Sequence, residues 1–200
     1  MNNCIFTAHC TESVCDKSCP ILAETSYLLE RNHISMDNPV FRSSQKDIDK
    51  AISIINKVEN SMDKLGVIVS NDTISISNLL AYCSICTNWQ GNRLHCNVYT
   101  LKFSNHLDLI QKSWSAKNNI DELEYEQIWC NTSKILIISN IDFVQFKDFQ
   151  AQTLLNLIHN RQDNGLSTLI VSPKLNTLVG SGQFFNRMQS TFGKAVISWQ

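Results

Sequence analysis

Four cysteines fall within the first twenty residues. Cys4, Cys10, Cys15 and Cys19 are spaced C-x5-C-x4-C-x3-C with Pro20 after the last, and they are half of the chain's eight cysteines. Thiolates bind soft and borderline metals, and four of them complete a tetrahedral shell. A segment this short cannot bury a core of its own, so a metal would have to replace one. The expectation is a structural Zn2+ site. The spacing lacks the C-x2-C pairs usual for zinc, and a final Cys-Pro also ends bacterial ferredoxin motifs, so a [4Fe–4S] cluster is the alternative. The remaining reading is four unrelated thiols. In a metal site His9 could replace one thiolate, the other reading being a solvated His beside a ligand. The later pair, Cys83-Ser84-Ile85-Cys86, lies inside an apolar helical stretch and reads as core packing. Cys96 and Cys130 read the same way. His95, His106 and His159 are scattered, with nothing to gather them into a ligand set.

Residues 134–173 show what must position any chemistry. The apolar run Ile135–Ile138 precedes an amphipathic stretch, Asp148–Asn164, that Gly165 stops, and a second apolar run, Leu169–Val171, follows. Two short β-rich runs joined by a helix of this length form a βαβ crossover, which requires a parallel sheet covered by helices. Upstream, 21–34 predicts a short helix with Leu22, Tyr27, Leu28 and Leu29 apolar. A linker over 35–45 follows, then a helix capped by Ser43 or Ser44 that carries Ile48, Ala51, Ile52, Ile55 and Val58 and ends near Asp63. Gly66–Val69 predicts a buried strand, Ser77–Trp89 a helix, Val98–Phe103 a strand, His106–Ser115 and Glu122–Trp129 helices, and Ala195–Trp199 a last strand.

Lys134–Ser139, Leu154–Arg161 and Asn164–Ser172 together resemble the Walker B to sensor-1 region of AAA+ helicase loaders of the DnaC/DnaI type. The resemblance covers roughly residues 40–200. It implies a three-layer αβα sandwich around a five-stranded parallel sheet, with a phosphate loop after the first strand. The pattern G-x-x-x-x-G-K-[ST] falls on Ser70–Ser77: Ser70 and Ser75 stand for both glycines, Ile76 for the lysine, and only the hydroxyl of Ser77 survives. Glycines let backbone N–H groups wrap phosphates and the lysine neutralises their charge, so this loop is degenerate. The two strand-end acids of the family are Ser139 and Asn140, and the sensor-1 Asn is absent from Val171-Ser172-Pro173. Arg187, in Phe184-Phe185-Asn186-Arg187-Met188, matches the arginine finger that reaches into a neighbour's site; a surface Arg is the alternative. The family's lid would follow Trp199, and the expectation is a core without it. Loaders of the DnaI type carry a zinc-bearing head, which adds weight to zinc.

The totals fit this reading. With 43% hydrophobic residues the chain can bury a real core, and a formal charge of −1 gives no global attraction to nucleic acid or acidic membrane. No apolar run approaches a membrane span, and the N-terminus lacks a basic segment followed by an apolar one, so a cytoplasmic protein is expected. The expected organisation is a Cys-rich metal-binding head over 1–34, the linker, and a degenerate AAA+ domain over 46–200. Phosphoryl transfer needs the lysine and an acid-held Mg2+ together. The expected function is therefore a pseudo-ATPase that binds no ATP: a binding subunit in DNA replication of a phage or mobile element, contacting a replicative helicase or an active AAA+ partner. The alternatives are a working NTPase with an atypical loop, for which Ser77 and Asp142 speak, and a nucleic-acid module that uses the cysteine head.

Overall fold

The computed structural model describes residues 20–34, 43–88, 98–115 and 120–199. The four head cysteines, His9, the linker residues 35–42 and the segment holding His95 and Cys96 lie outside the described residues.

The described elements are α1 (Pro20–Arg31), α2 (Gln45–Glu59), β1 (Leu65–Val69), α3 (Thr73–Asn88), β2 (Val98–Lys102), α4 (Phe103–Ser115), α5 (Ile120–Thr132), β3 (Ile135–Ser139), α6 (Asp148–Asp163), β4 (Ser167–Ser172), α7 (Gln183–Lys194) and β5 (Val196–Ser198). The five strands form one sheet in the order β2-β3-β4-β1-β5, every pairing parallel. A parallel sheet needs both faces covered, and the alternation of side chains along each strand divides the core in two. Ile68, Ile135, Ile137, Leu169 and Val171 pack under α1, α2 and α3. Leu65, Val67, Leu136, Ile138 and Ile170 pack under α4, α5, α6 and α7. The expected αβα sandwich is present. Leu28, Leu29 and Ile34 join the first of these clusters, so the described part of the expected head packs onto the sheet unit.

Local signals explain two of these element ends and one close approach. Ser44 caps α2, its hydroxyl accepting the Asp47 N–H at 3.2 Å. Gly165 ends α6 at φ +66, a left-handed conformation that glycine adopts without steric cost. Gly66 allows α2 to lie close on β1: a Cβ there would stand 2.6 Å from a Val58 methyl and 2.9 Å from Ile197.

Three boundaries differ from expectation. α2 ends at Glu59 rather than near Asp63, because Asn60, Ser61 and Lys64 turn the chain into β1, with Lys64 at φ +50. α4 begins at Phe103, which is wholly buried against Phe146, instead of at His106. α3 begins at Thr73, four residues before the expected start, and this bears directly on the site. Tyr27, expected on the apolar side of α1, is 59% exposed.

Candidate functional site

In open parallel sheets ligands bind at the carboxyl ends of the strands. Here the connection from β1 to α3 consists only of Ser70, Asn71 and Asp72. Ser75, Ile76 and Ser77, expected within a degenerate phosphate loop, lie instead in the opening turns of α3. Two forces draw the helix forward. Asp72 stands in the capping position and its carboxylate accepts the Ser75 N–H at 3.1 Å. Ile76 is 8% exposed and packs into the core with Leu79 and Leu80. The Ser77 hydroxyl, the one survivor of the pattern, is buried and donates to the Thr73 carbonyl at 2.6 Å. None of residues 70–77 has a positive φ, so the backbone does not form the glycine-type cradle that gathers N–H groups around a phosphate.

The helix N-terminus that would attract an anion thus already holds one, supplied by the chain itself. The cleft beside it, about 320 Å3, is lined by Ser43, Asp47, Ser70, Asp72, Ser75 and Trp199 among others. Among the described residues, two carboxylates and no Lys or Arg line it. Asp47 is held by the Ser44 hydroxyl at 2.6 Å, and Lys50 stands 5.0 Å above the Trp199 ring.

Ser139 ends β3, buried, and Asn140 follows at φ +59 with its side-chain oxygen buried and lacking a hydrogen-bond partner. No carboxylate stands at either place; Asp142, the remaining acid nearby, is exposed in the following turn. At the end of β4 the Ser172 carbonyl accepts the Ser70 N–H at 2.9 Å, while its buried hydroxyl has no partner. Arg187 is exposed on α7, whose buried face is Phe185, Met188 and Phe192. The structure therefore brings the expected phosphate-loop and strand-end residues to one edge of the sheet. Arg187 stands separately on the surface of α7.

The described cysteines behave as core residues. Cys83 and Cys130 are buried, and burial pushes each thiol up to about 12, the neighbouring Asp49 and Glu126 carboxylates adding to the shift. Among the described residues no group of three or more His, Cys, Asp or Glu could hold a metal ion, and no helix is long and apolar enough to cross a membrane. His106 is buried against Glu126 Oε1 at 2.6 Å, a pairing that sequence spacing did not suggest.

Sequence reasoning also passed over Arg161. It lies wholly buried on α6, donating from Nε to Thr168 Oγ1 at 3.0 Å, from Nη1 to the Cys130 carbonyl at 2.5 Å, and from Nη2 to the carbonyls of Ser133 at 2.9 Å and Ser167 at 2.6 Å. Burial lowers its pKa to about 10. The available signal was its place on the apolar stripe of the helix, three residues after Ile158.

No protein-family model and no curated protein matches the sequence. Solved structures do match. AMPPCP-bound DnaA from Aquifex aeolicus superposes with a TM-score of 0.54 at 9% identity, covering 76% of this chain and 44% of that one. Domain III of the Thermotoga maritima replication initiation protein DnaA gives 0.56 at 13%, covering 78% and 62%. The replication initiator DnaA bound to AMPPCP and single-stranded DNA gives 0.56 at 10%, covering 92% and 51%. The fold is similar to that of these DnaA structures. At this identity the likeness concerns the fold alone, and the chain spans 44% to 62% of the length of these three structures.

Proposed function

We propose that this chain is a catalytically silent AAA+-type domain that works by binding protein in DNA replication, as a loader-like subunit contacting a replicative helicase or an active AAA+ partner. The observation that carries the reading is the Asp72 carboxylate on the α3 N-terminus. An ATP phosphate would have to displace an internal anion, without a lysine to attract it and without a strand-end carboxylate to hold Mg2+. Loss of both halves of the site leaves the fold as an interaction scaffold. The DnaA likeness supports a setting in replication, and the loader-type sequence resemblance supports the choice of partner. Arg187, exposed on α7, is proposed to complete a partner's nucleotide site in trans.

Calorimetric titration of the protein with ATP and Mg2+ tests the silent site. No saturable heat is expected; micromolar affinity would sink the proposal. Ile76→Lys alone should not restore hydrolysis, because the acids that hold Mg2+ are still missing. The cysteines of the head, Cys4, Cys10, Cys15 and Cys19, are proposed to hold one Zn2+, with a [4Fe–4S] cluster as the alternative. Elemental analysis separates the two by finding zinc or iron, and a metal-free preparation that keeps native stability and partner binding would remove both.

A further inference from the structure

Helix α5 covers little of the core and leaves its outer face bare. Cys130 is buried, and Leu123 and Glu126 are half-buried, with Glu126 meeting His106 at 2.6 Å. Asp121, Glu124, Tyr125 and Ile128, at i, i+3, i+4 and i+7, share the opposite face and are all exposed. Tyr125 and Ile128 are 57% and 58% exposed. Residues three apart on a helix are neighbours, so these two apolar side chains lie side by side.

The end of α1 extends the patch. The Tyr125 ring meets Trp129 edge to face at 5.9 Å. The Arg31 guanidinium lies 3.8 Å over the Trp129 ring and 5.8 Å from the Tyr27 ring. Tyr125, Trp129, Arg31 and Tyr27 thus form a continuous row across two helices, with Tyr27 and Glu30 exposed at its far end. A single exposed aromatic residue needs no explanation, but a connected set does. Charge narrows what could cover it. Glu30, Asp121, Glu122 and Glu124 are exposed on these helices, α5 carries no Lys or Arg, and α1 carries only Arg31. Arg31 is already committed, its Nη2 donating to the Val98 carbonyl at 2.7 Å while its face rests on Trp129. With the whole chain nearly neutral at −1, the acids here are a local concentration.

An acidic surround repels a nucleic-acid backbone or an acidic membrane and attracts a partner that carries cations. Arg31 shows what such a cation finds, since these aromatic faces already hold one guanidinium. We propose that α5 and the adjoining end of α1 form a docking face for a basic amphipathic helix of a partner protein. Its apolar residues seat on Tyr125 and Ile128, and its Lys or Arg side chains meet Glu30, Asp121, Glu122, Glu124 and the exposed tyrosine rings. The face lies along β2, whereas the acidic cleft lies beside Trp199 just past β5, and these strands are opposite edges of the sheet. The inference rests on the protein-binding reading proposed above and gives that partner a chemistry.

The test uses the full-length 15N-labelled protein and three synthetic peptides, with backbone amides followed by NMR. The first peptide is an amphipathic helix with a Leu stripe flanked by Arg. The second has the same composition in scrambled order, and the third has Glu in place of each Arg. Saturable shifts confined to α1 and α5 are expected with the first, binding about tenfold weaker or more with the second, and none with the third. Binding of the first should also weaken as salt rises. Tyr125→Ser with Ile128→Ser changes only exposed positions and should weaken the Arg peptide about tenfold or more. Asp121→Lys with Glu124→Lys should abolish its binding and admit the Glu peptide. Equal binding of the scrambled peptide, shifts centred on Asp47 and Asp72, or no saturable shift would each overturn the proposal. So would a concentration-dependent dimer in sedimentation that the charge reversal dissolves, because the face would then belong to a second copy of this chain. ATP with Mg2+ is a separate arm: nucleotide binding would count against the silent site and leave the peptide result standing, and a failed peptide titration would leave the silent site untouched.

Discussion

Strand β4 begins and ends on buried polar groups, and its two ends treat them differently. At its amino end the Arg161 guanidinium meets four oxygens, from Cys130, Ser133, Ser167 and Thr168. These atoms join the ends of α5 and α6 to the start of β4, so one side chain closes the gaps between three elements. At its carboxyl end the Ser172 hydroxyl lies buried without a partner, and the Asn140 oxygen next to the neighbouring strand does the same. A buried charge survives only when its donors are met, so the amino edge is built to hold the fold together. The amino edge is not free of unmet atoms, since the Ser133 hydroxyl there is buried without a partner. The difference is the Arg161 fork, which among the described residues has no counterpart at the edge where parallel sheets take ligands.

The largest way to break this contrast is Arg161→Leu. Three carbonyls and a hydroxyl would lose a charged donor in a water-free place, and we expect a loss of about 3 kcal/mol or more in chemical denaturation. Arg161→Lys should recover little, since an ammonium cannot reproduce the planar fork. An Arg161→Leu protein as stable as wild type would remove the idea of an amino-edge clamp.

A smaller effect is expected at Asp72. Replacing it with Ala removes the cap on α3 and should cost about 1 kcal/mol, whereas Ser keeps an oxygen for the Ser75 N–H and should stay within a few tenths. If Ala is as well tolerated as Ser, the carboxylate is not capping the helix. The smallest effect belongs to Ser172→Ala. Removing a buried hydroxyl that bonds to nothing should leave stability unchanged or raise it by up to about 1 kcal/mol. A clear loss in the same denaturation assay would mean that the hydroxyl has a partner and that the two ends of β4 are alike.

The architecture was legible because it rests on patterns several residues long. Ile135–Ile138 and Leu169–Val171 bracket an amphipathic helix closed by Gly165, and the parallel pairs of β3 with β4 follow from that arrangement. The start of α3 was not. Aligning eight residues to a motif assumes that the loop keeps its length, while the capping carboxylate of Asp72 and the pull of Ile76 into the core shorten it. Arg161 escaped notice because a charged residue on an apolar stripe reads as a snorkelling surface side chain, and its acceptors come from segments up to 31 residues away. The pairing of His106 with Glu126, 20 residues apart, escaped for the same reason.

The bare position at Gly66 reaches further than its neighbours. It sets the height of α2 above β1 at the Val58 end of the helix, while Ser43 and Asp47, just before and within the first turn, form a wall of the acidic cleft. The helix is a rigid lever of 15 residues, so lifting one end tilts the other. The width of that cleft is thus governed from the opposite end of α2, by a methyl group that is not there. A lineage drifting from Gly66 to Ala would reshape the cleft without altering any residue that lines it.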